Sequence, residues 1–242
     1  MFAFRDSRDR VDVAFTDRHG GTSGGPYASL NLAEVDATHR DEVAENVRLA
    51  ARALTGAEPP VLRMRQVHGS DVHVVRSVDD TVPVADAMVT ALPGVVLMVR
   101  VADCVPVVLA DAGRGIVGVA HAGRPGMAAG VVPRTVAAMR DLGAADLVAW
   151  VGPHVCGRCY EVPDAMRAEV SALVPEAYAE TSWGTAALDI GAGVRAQLGS
   201  AGVAGVAVVD AARCTIEDED LDSYRRQGKQ SGRMAGLVWA RP

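Results

Sequence analysis

Aromatic residues are scarce: Phe, Trp and Tyr make up 4% of the 242 residues, although 49% of the chain is apolar. The core is therefore built from Ala, Val and Leu, and few rings remain to stack on a planar ligand. Positive charge is the minority sign, with 24 Lys and Arg against 30 Asp and Glu and a formal net charge of −6. That balance argues against nucleic acid as the main partner, because non-specific binding needs a basic surface. It leaves room for a small anion held by a few local arginines. The four cysteines, Cys104, Cys156, Cys159 and Cys214, are too few for a disulfide framework in a chain this long. No export signal is expected, since MFAFRDSRDR is charged too early for an apolar signal region. Reduced thiols and a cytoplasmic location are expected. Long hydrophobic runs are missing too: residues 95–110, the most apolar stretch, are broken by Arg100 and Asp103, so no membrane span is expected. Composition also excludes disorder and fibrous repeats. Without a linker or internal repeat, residues 1–242 read as a single domain.

What is present is a series of short Val-rich segments separated by Gly, Pro and Asp turns. Residues 11–15 alternate as a strand and lead into TDRHGGTSGGPYASLNL, a long Gly-rich loop of the kind that is usually functional or mobile. Residues 41–54 carry Val43, Val47, Ala50, Ala51 and Leu54 at helical spacing, with Gly56 and Pro59–Pro60 ending the helix. From 61 to 120 the chain reads as strands: VLRMRQVH, DVHVVRS, DAMVT, VVLMVRV, PVVLA and GIVGVA. GMAAGVVPRTVAAMRDLG reads as helix, with Pro133 either in its first turn or at a kink. LVAWVG and VAGVAVV are further strands, residues 163–173 and 189–198 further helices. SYRRQGKQSGRMAGLVWA joins a basic polar loop to a final strand.

Three segments carry candidate chemistry: QVHG with His68, ADCVP with Cys104 and AHAG with His121. Each lies at the end of a strand or in the turn after it, where side chains distant in sequence can converge. Two imidazoles and a thiolate suit zinc and leave a fourth position open, where bound water ionises near neutral pH. The plainer alternative makes the histidines hydrogen-bonded strand-end residues and Cys104 core filler. A third makes Cys104 a nucleophile with His121 or His68 as its base and Asp103 as orienter. GIVGVAHAGRPGMAAG is strand, Gly-rich turn and helix, a form whose N–H groups can cradle an anion, with Arg124 adding donors. Arg225, Arg226, Lys229 and Arg233 crowd one loop, which reads as a solvated face or an anion site. Cys156-Gly-Arg-Cys159 lies in a loop with no second Cys pair to complete a four-thiolate site, and reads as incidental. His19 shares the Gly-rich loop and is a candidate for lining a pocket; His39, His73 and His154 have no evident partner.

Eight of these segments, from TDRHGGTSGGPYASLNL through RQVHG, ADAMVT, ADCVPVVLAD, GVAHAG, GPHVCGRCYEV and CTIEDED to SYRRQGKQSGRMAGLVW, stand in the order found in one family. The chain resembles the YfiH-like proteins, also called laccase-domain, multicopper polyphenol oxidase or peptidoglycan editing factor proteins, over residues 11–239. The resemblance implies an α+β layered sandwich of mixed β-sheets flanked by helices. It implies one zinc on His68, Cys104 and His121, and phosphorolysis of adenosine, inosine and methylthioadenosine, with adenosine deamination beside it. Copper suits the chain less well, since a multicopper oxidase needs more than the six histidines present, although a single blue-copper centre takes two His and one Cys. One departure stands out: the family's HAGWRG is HAGRPG here, so the Trp is gone and Arg124 sits one position early, with Pro125 in the place of the Arg. A shift of that kind re-aims a substrate-positioning group.

The expected partners are thus a purine nucleoside and phosphate, with Arg18, Arg124, Arg225 and Arg226 toward phosphate and Ser23 and Asn31 toward ribose or base. Asp103 is a candidate for orienting the site or for acid–base work beside Cys104 and His121. The rivals are a metal-free Cys/His hydrolase of peptidoglycan precursors and a non-catalytic member with an altered HAGRPG turn.

Overall fold

In the computed structural model, which describes residues 1–33 and 39–242, the Val-rich segments pair into two mixed sheets. The first is five-stranded, in the order β1 (Phe2–Arg8), β2 (Val11–Thr16), β13 (Met234–Ala240), β6 (Val96–Val101) and β3 (Val61–Leu62). The second is six-stranded, in the order β12 (Val208–Asp210), β9 (Val148–Val151), β7 (Val105–Asp111), β8 (Ile116–Ala122), β5 (Ala87–Thr90) and β4 (Val72–Val74). A small hairpin, β10 (Tyr178–Glu180) with β11 (Ala186–Leu188), stands apart.

Side chains alternate across a strand, so each sheet buries two faces. The inner faces meet through Val13, Phe15, Leu97, Val99 and Val238 of the first sheet and Val108, Val117, Val119 and Trp150 of the second. Outside the first sheet, Ala14, Val96, Met98 and Leu237 pack on Val43, Val47, Ala50 and Leu54 of α1 (Arg40–Thr55). Outside the second, Val105, Val107, Leu109 and Ala120 pack on α2 (Arg124–Ala128), α3 (Val131–Asp141), α4 (Asp164–Leu173) and α5 (Ile190–Ser200). A last short helix, α6 (Tyr224–Gln227), sits in the basic loop before β13. The architecture is the expected layered sandwich: helix, sheet, sheet, helices. Among the described residues no helix is long and apolar enough to cross a membrane.

Several local expectations resolve or change. Pro133 falls in the first turn of α3, where its missing N–H has no intrahelical partner to lose. Gly56 ends α1 in the left-handed conformation with φ of 73°, as a helix-terminating glycine does. VLRMRQVH keeps only Val61–Leu62 as strand, and the rest turns irregularly toward the site. VAGVAVV shortens to β12 after a tight turn at Gly205–Ala207. The charge-rich start is strand β1, an edge strand paired with β2, which its charge pattern had not suggested. Charged residues suit an exposed edge because they discourage further strand pairing.

With only 3 Phe in the chain, the packing of one ring has wide consequences. Phe15 fills the space between the sheets left by Gly152 and Gly236, and a Cβ on Gly152 would lie 2.4 Å from its ring. Gly152→Ala is expected to cost about 1–3 kcal/mol of stability through overpacking. Gly24→Ala, where a Cβ meets nothing within 4 Å, should be near neutral. Urea unfolding midpoints of the two variants check this; equal midpoints would mean that Phe15 has room to move.

Candidate active site and metal centre

The site forms where β7 begins and β8 ends, because these strands run antiparallel with Pro106 opposite His121. Cys104 lies immediately before β7 and His121 near the end of β8. His68 comes from the irregular segment after β3. Backbone φ values of 60° at His68 and 80° at Asp103 place both in the left-handed region, uncommon for residues with a Cβ. Strain of this kind costs on the order of 1–3 kcal/mol per residue and concentrates at functional sites. Cys104 Sγ lies 3.8 Å from His68 Nε2, and the donor atoms of His68, Cys104 and His121 all lie within 4.8 Å of one another. The imidazole rings meet edge to face at 4.7 Å.

Asp86 holds this arrangement. Its carboxylate is fully buried and accepts the Nδ1–H of His121 at 2.8 Å, which leaves His121 Nε2 for the site. It also accepts the backbone N–H groups of Val67, His68 and Gly69 at 3.1, 2.9 and 2.6 Å. Burial alone would raise the Asp86 carboxyl, but the bonds from His121, Gly69 and Val67 outweigh it and hold it below the ordinary range. Burial likewise pushes the Cys104 thiol up, yet hydrogen bonds with His121 and His68 bring it down to about 6. His121 is pushed down by burial but raised to about 9 by Asp86 and Cys104. Each of the two groups thus favours the charged form of the other. Two oriented imidazoles and an ionised thiol fit one metal ion with a position left open. The Gly-rich turn after β8 serves the same cluster. A Cβ on Gly123 would meet His68 Cδ2 at 2.7 Å and Cys104 Sγ at 3.1 Å, and one on Gly126 would meet the Gly69 carbonyl at 2.6 Å.

The three donors face a cavity of about 1000 Å³. Among its described lining residues are six arginines, Arg63, Arg65, Arg100, Arg124, Arg225 and Arg233, against one carboxylate, Asp103. The pocket is thus cationic inside an acidic protein. Asp103 turns both oxygens away to other partners, accepting from Thr215 Oγ1 and from the Arg225 backbone N–H, each at 2.6 Å. These bonds fit the orienting role for Asp103 better than acid–base work. Arg225 lies 4.6 Å over the Tyr160 ring and donates to the Glu161 carbonyl, while Arg233 lies 5.7 Å from the Tyr224 ring. Arg124, the first residue of α2, lines the cavity despite the altered HAGRPG turn.

Other expected contacts lie elsewhere. Arg18 donates to the carbonyls of Ala28 and Pro26, bracing the Gly-rich loop. Ser23 accepts from Asn46, and the Asn31 side chain is held by Ala33 and by the Arg233 backbone. Arg226 donates to the carbonyls of Thr215, Ile216, Asp218 and Leu221. None of these four lines the cavity among its described residues; they shape its surroundings. His19 pairs with Asp220 at 2.8 Å and is likewise outside it. Sequence reasoning missed Asp86, Arg63, Arg65, Arg100, Tyr160 and Tyr224. The segment DAMVT carried a visible signal for Asp86, an acid opening a strand that neighbours the histidine strand.

A family profile described as multi-copper polyphenol oxidoreductase laccase matches residues 12–241. The chain belongs to that family. Among its relatives, a purine nucleoside phosphorylase of Streptomyces coelicolor is 52% identical over 99% of each chain. One of Corynebacterium glutamicum is 43% identical over 97% of this chain and 96% of its own. The crystal structure of YlmD from Geobacillus stearothermophilus superposes with a TM-score of 0.86 at 32% identity, covering 96% of this chain and 93% of that one. The layered sandwich is thus the fold of the family, as the resemblance implied.

Asp86→Asn tests the site's frame. Metal affinity is expected to fall about 10–100-fold, the usual effect of losing a residue that orients a ligand. Because the Asp86 carboxyl is depressed in the folded state, its stabilisation is complete above the unfolded carboxylate value of about 4 and fades as pH falls through the lower folded value. The variant should lack that part of the acid-induced loss. Chelator competition and urea midpoints at neutral and acid pH measure both; unchanged metal affinity would mean that Asp86 does not orient the ligands.

Proposed function

We propose that the protein is a zinc-dependent purine nucleoside phosphorylase with adenosine deaminase activity, acting on adenosine, inosine and methylthioadenosine. The observation that carries this reading is one cavity in which a His–Cys–His cluster, two tyrosine rings and six arginines face the same space. The names of the Streptomyces and Corynebacterium relatives support it. Residues 1–242 act in this reading as one catalytic domain in the cytoplasm, where Cys104 stays reduced.

Phosphorolysis replaces the bond between the ribose anomeric carbon and the purine nitrogen with one from that carbon to a phosphate oxygen. The products are ribose 1-phosphate and the free base, whose leaving nitrogen needs its negative charge neutralised. Arg225 and Arg124 present planar donor forks suited to phosphate oxygens, and the surplus of arginine draws the anion in. Tyr160 and Tyr224 offer ring faces to the base, replacing the stacking lost with the family's Trp. Asp103 fixes the backbone of Arg225 and so the origin of its side chain. His68, Cys104 and His121 would hold the zinc, which when bound polarises a substrate oxygen or lowers the pKa of water, the chemistry that deamination also needs. The donor set favours zinc over a multicopper centre, for which the histidines are too few.

The test is release of base from each of the three nucleosides with and without inorganic phosphate. Release is expected only with phosphate for inosine and methylthioadenosine, with formation of a sugar phosphate. Arg225→Ala should raise the KM for phosphate about 10–100-fold, the worth of about one charge-assisted hydrogen bond. Cys104→Ala should abolish turnover. Base release that ignores phosphate, or none from any of the three, sinks the proposal.

A second reading is favoured by the Cys104 thiol lying among the donor atoms of His68 and His121, the thiol–imidazole arrangement a metal-free thiol hydrolase of peptide-linked cell-wall precursors would use. Iodoacetamide separates the two. Alkylation of Cys104 that a chelator accelerates supports the zinc enzyme; equal rates with and without chelator support the hydrolase.

A further inference from the structure

Away from the cavity triad, two four-residue turns face each other, each offering a donor at its first and fourth positions. The first is Cys156-Gly-Arg-Cys159, closed by the Cys159 and Tyr160 N–H groups donating to the Cys156 carbonyl, both at 3.0 Å. The second is Cys214-Thr-Ile-Glu217, followed by the Asp218 N–H donating to the Cys214 carbonyl at 3.0 Å. A short parallel bridge between His154 and Cys214 sets the turns side by side, through His154 N–H to the Arg213 carbonyl and Thr215 N–H to the His154 carbonyl. Donor atoms of Cys156, Cys159, Cys214 and Glu217 all lie within 4.8 Å of one another, and Cys159 Sγ is 3.4 Å from a Glu217 oxygen. All three cysteines are free thiols.

We propose that these turns form a second, structural metal site that binds one zinc ion through three thiolates and the Glu217 carboxylate. Two turns with ligands at C-x2-C spacing, opposed so that four donors close a tetrahedron, are a recurring way of building such a site. Sulfur atoms each about 2.3 Å from a central zinc stand somewhat under 4 Å apart, a modest contraction of the spacing seen here. Four protein donors leave no open position, so the site holds structure rather than substrate. Three thiolates and a carboxylate overcompensate a divalent charge, and Arg158, 3.9 Å from a Glu217 oxygen, offsets part of the excess. The clamp joins the segment that ends in Tyr160 to the one leading to Arg225. It would therefore fix the cavity wall on which those two residues meet.

The metal content of the purified full-length protein tests this, and the readout does not depend on phosphorolysis or on the His68 site. Cys156→Ser/Cys214→Ser should carry about one zinc per chain fewer than wild type by elemental analysis. A His68→Ala/Cys104→Ala variant should still take up cobalt with the strong thiolate absorption of a three-sulfur site. Glu217→Gln, at an exposed position that the fold tolerates, should lose this metal to a chelator about 10-fold more readily. The proposal falls if Cys156→Ser/Cys214→Ser keeps the wild-type zinc content, or if the cobalt spectrum of His68→Ala/Cys104→Ala lacks thiolate bands. It falls equally if the denatured, unreduced wild type titrates two thiols short of its four, which would mean a disulfide. Should the double serine variant fail to fold, the cobalt spectrum and Glu217→Gln decide the matter. Loss of the His68 cluster as a metal site would lower every count equally and leave the difference between wild type and Cys156→Ser/Cys214→Ser intact.

Discussion

The buried carboxylate of Asp86 is the interaction on which the site depends. It has no solvent contact, yet it stays ionised because four N–H groups converge on it from the His68 segment and from His121. A buried anion so served is worth far more than any one of its bonds, since removing a donor strands charge in a poor solvent. Asp86 thereby fixes the ring of one histidine and the backbone of the other. Its own position is set by β5, which pairs with the β8 strand that carries His121. Sheet register therefore determines where the donors meet, and the geometry of the cluster inherits the rigidity of the sandwich.

This dependence explains what the sequence made legible. The strands and helices could be read because Val-rich alternation and the spacing of Val43, Val47 and Leu54 reflect burial directly. His68, Cys104 and His121 could be marked as candidates because strand-end His and Cys are conspicuous. Which arginines reach the cavity could not be read. Arg225 and Arg226 are neighbours in one short helix, but successive helical residues point in different directions, so one lines the cavity and the other binds carbonyls. Arg63 and Arg65 looked like ordinary strand residues until the irregular path after β3 brought them to the cavity, which Arg100 reaches from β6. The Cys156 turn was similarly opaque, since its partners lie in a turn 58 residues on and are not a second Cys pair.

Two scarcities in the composition acquire local meaning. Net charge of −6 describes the whole surface, whereas the cavity gathers six arginines beside one carboxylate whose oxygens are already engaged. A low-dielectric cleft focuses such charge, so an anion inside experiences the arginines and not the distant acidic surface. The few rings are also unevenly placed. Trp150 is buried with its Nε1–H on Asp6, and Trp183 lies exposed with its Nε1–H on Glu161. The tyrosine rings among the described residues lining the cavity are Tyr160 and Tyr224, each already beside an arginine. A guanidinium over one face leaves the other face of the ring open, and the stacking holds the guanidinium plane in one orientation.

The family's oxidase description sits awkwardly with these donors. A multicopper centre is built largely from histidine, and here the histidines are dispersed. His19 pairs with Asp220, His73 lies near Asp80, and His154 is buried with Nδ1 on the Gly152 carbonyl. Among the described residues, the groups of three or more gathered donors contain His68 and His121 and no other histidine, and thiols supply most of the rest. One cluster has three donors and opens on a cationic cavity; the other has four, enough to close a tetrahedron from protein alone. An incomplete donor set opening on a cavity and a complete set within the fold are the two forms that zinc sites take in catalysis and in structure. Were both to hold zinc, an ion without redox chemistry, the open cluster would serve polar group transfer in the cavity and the closed one would hold the fold.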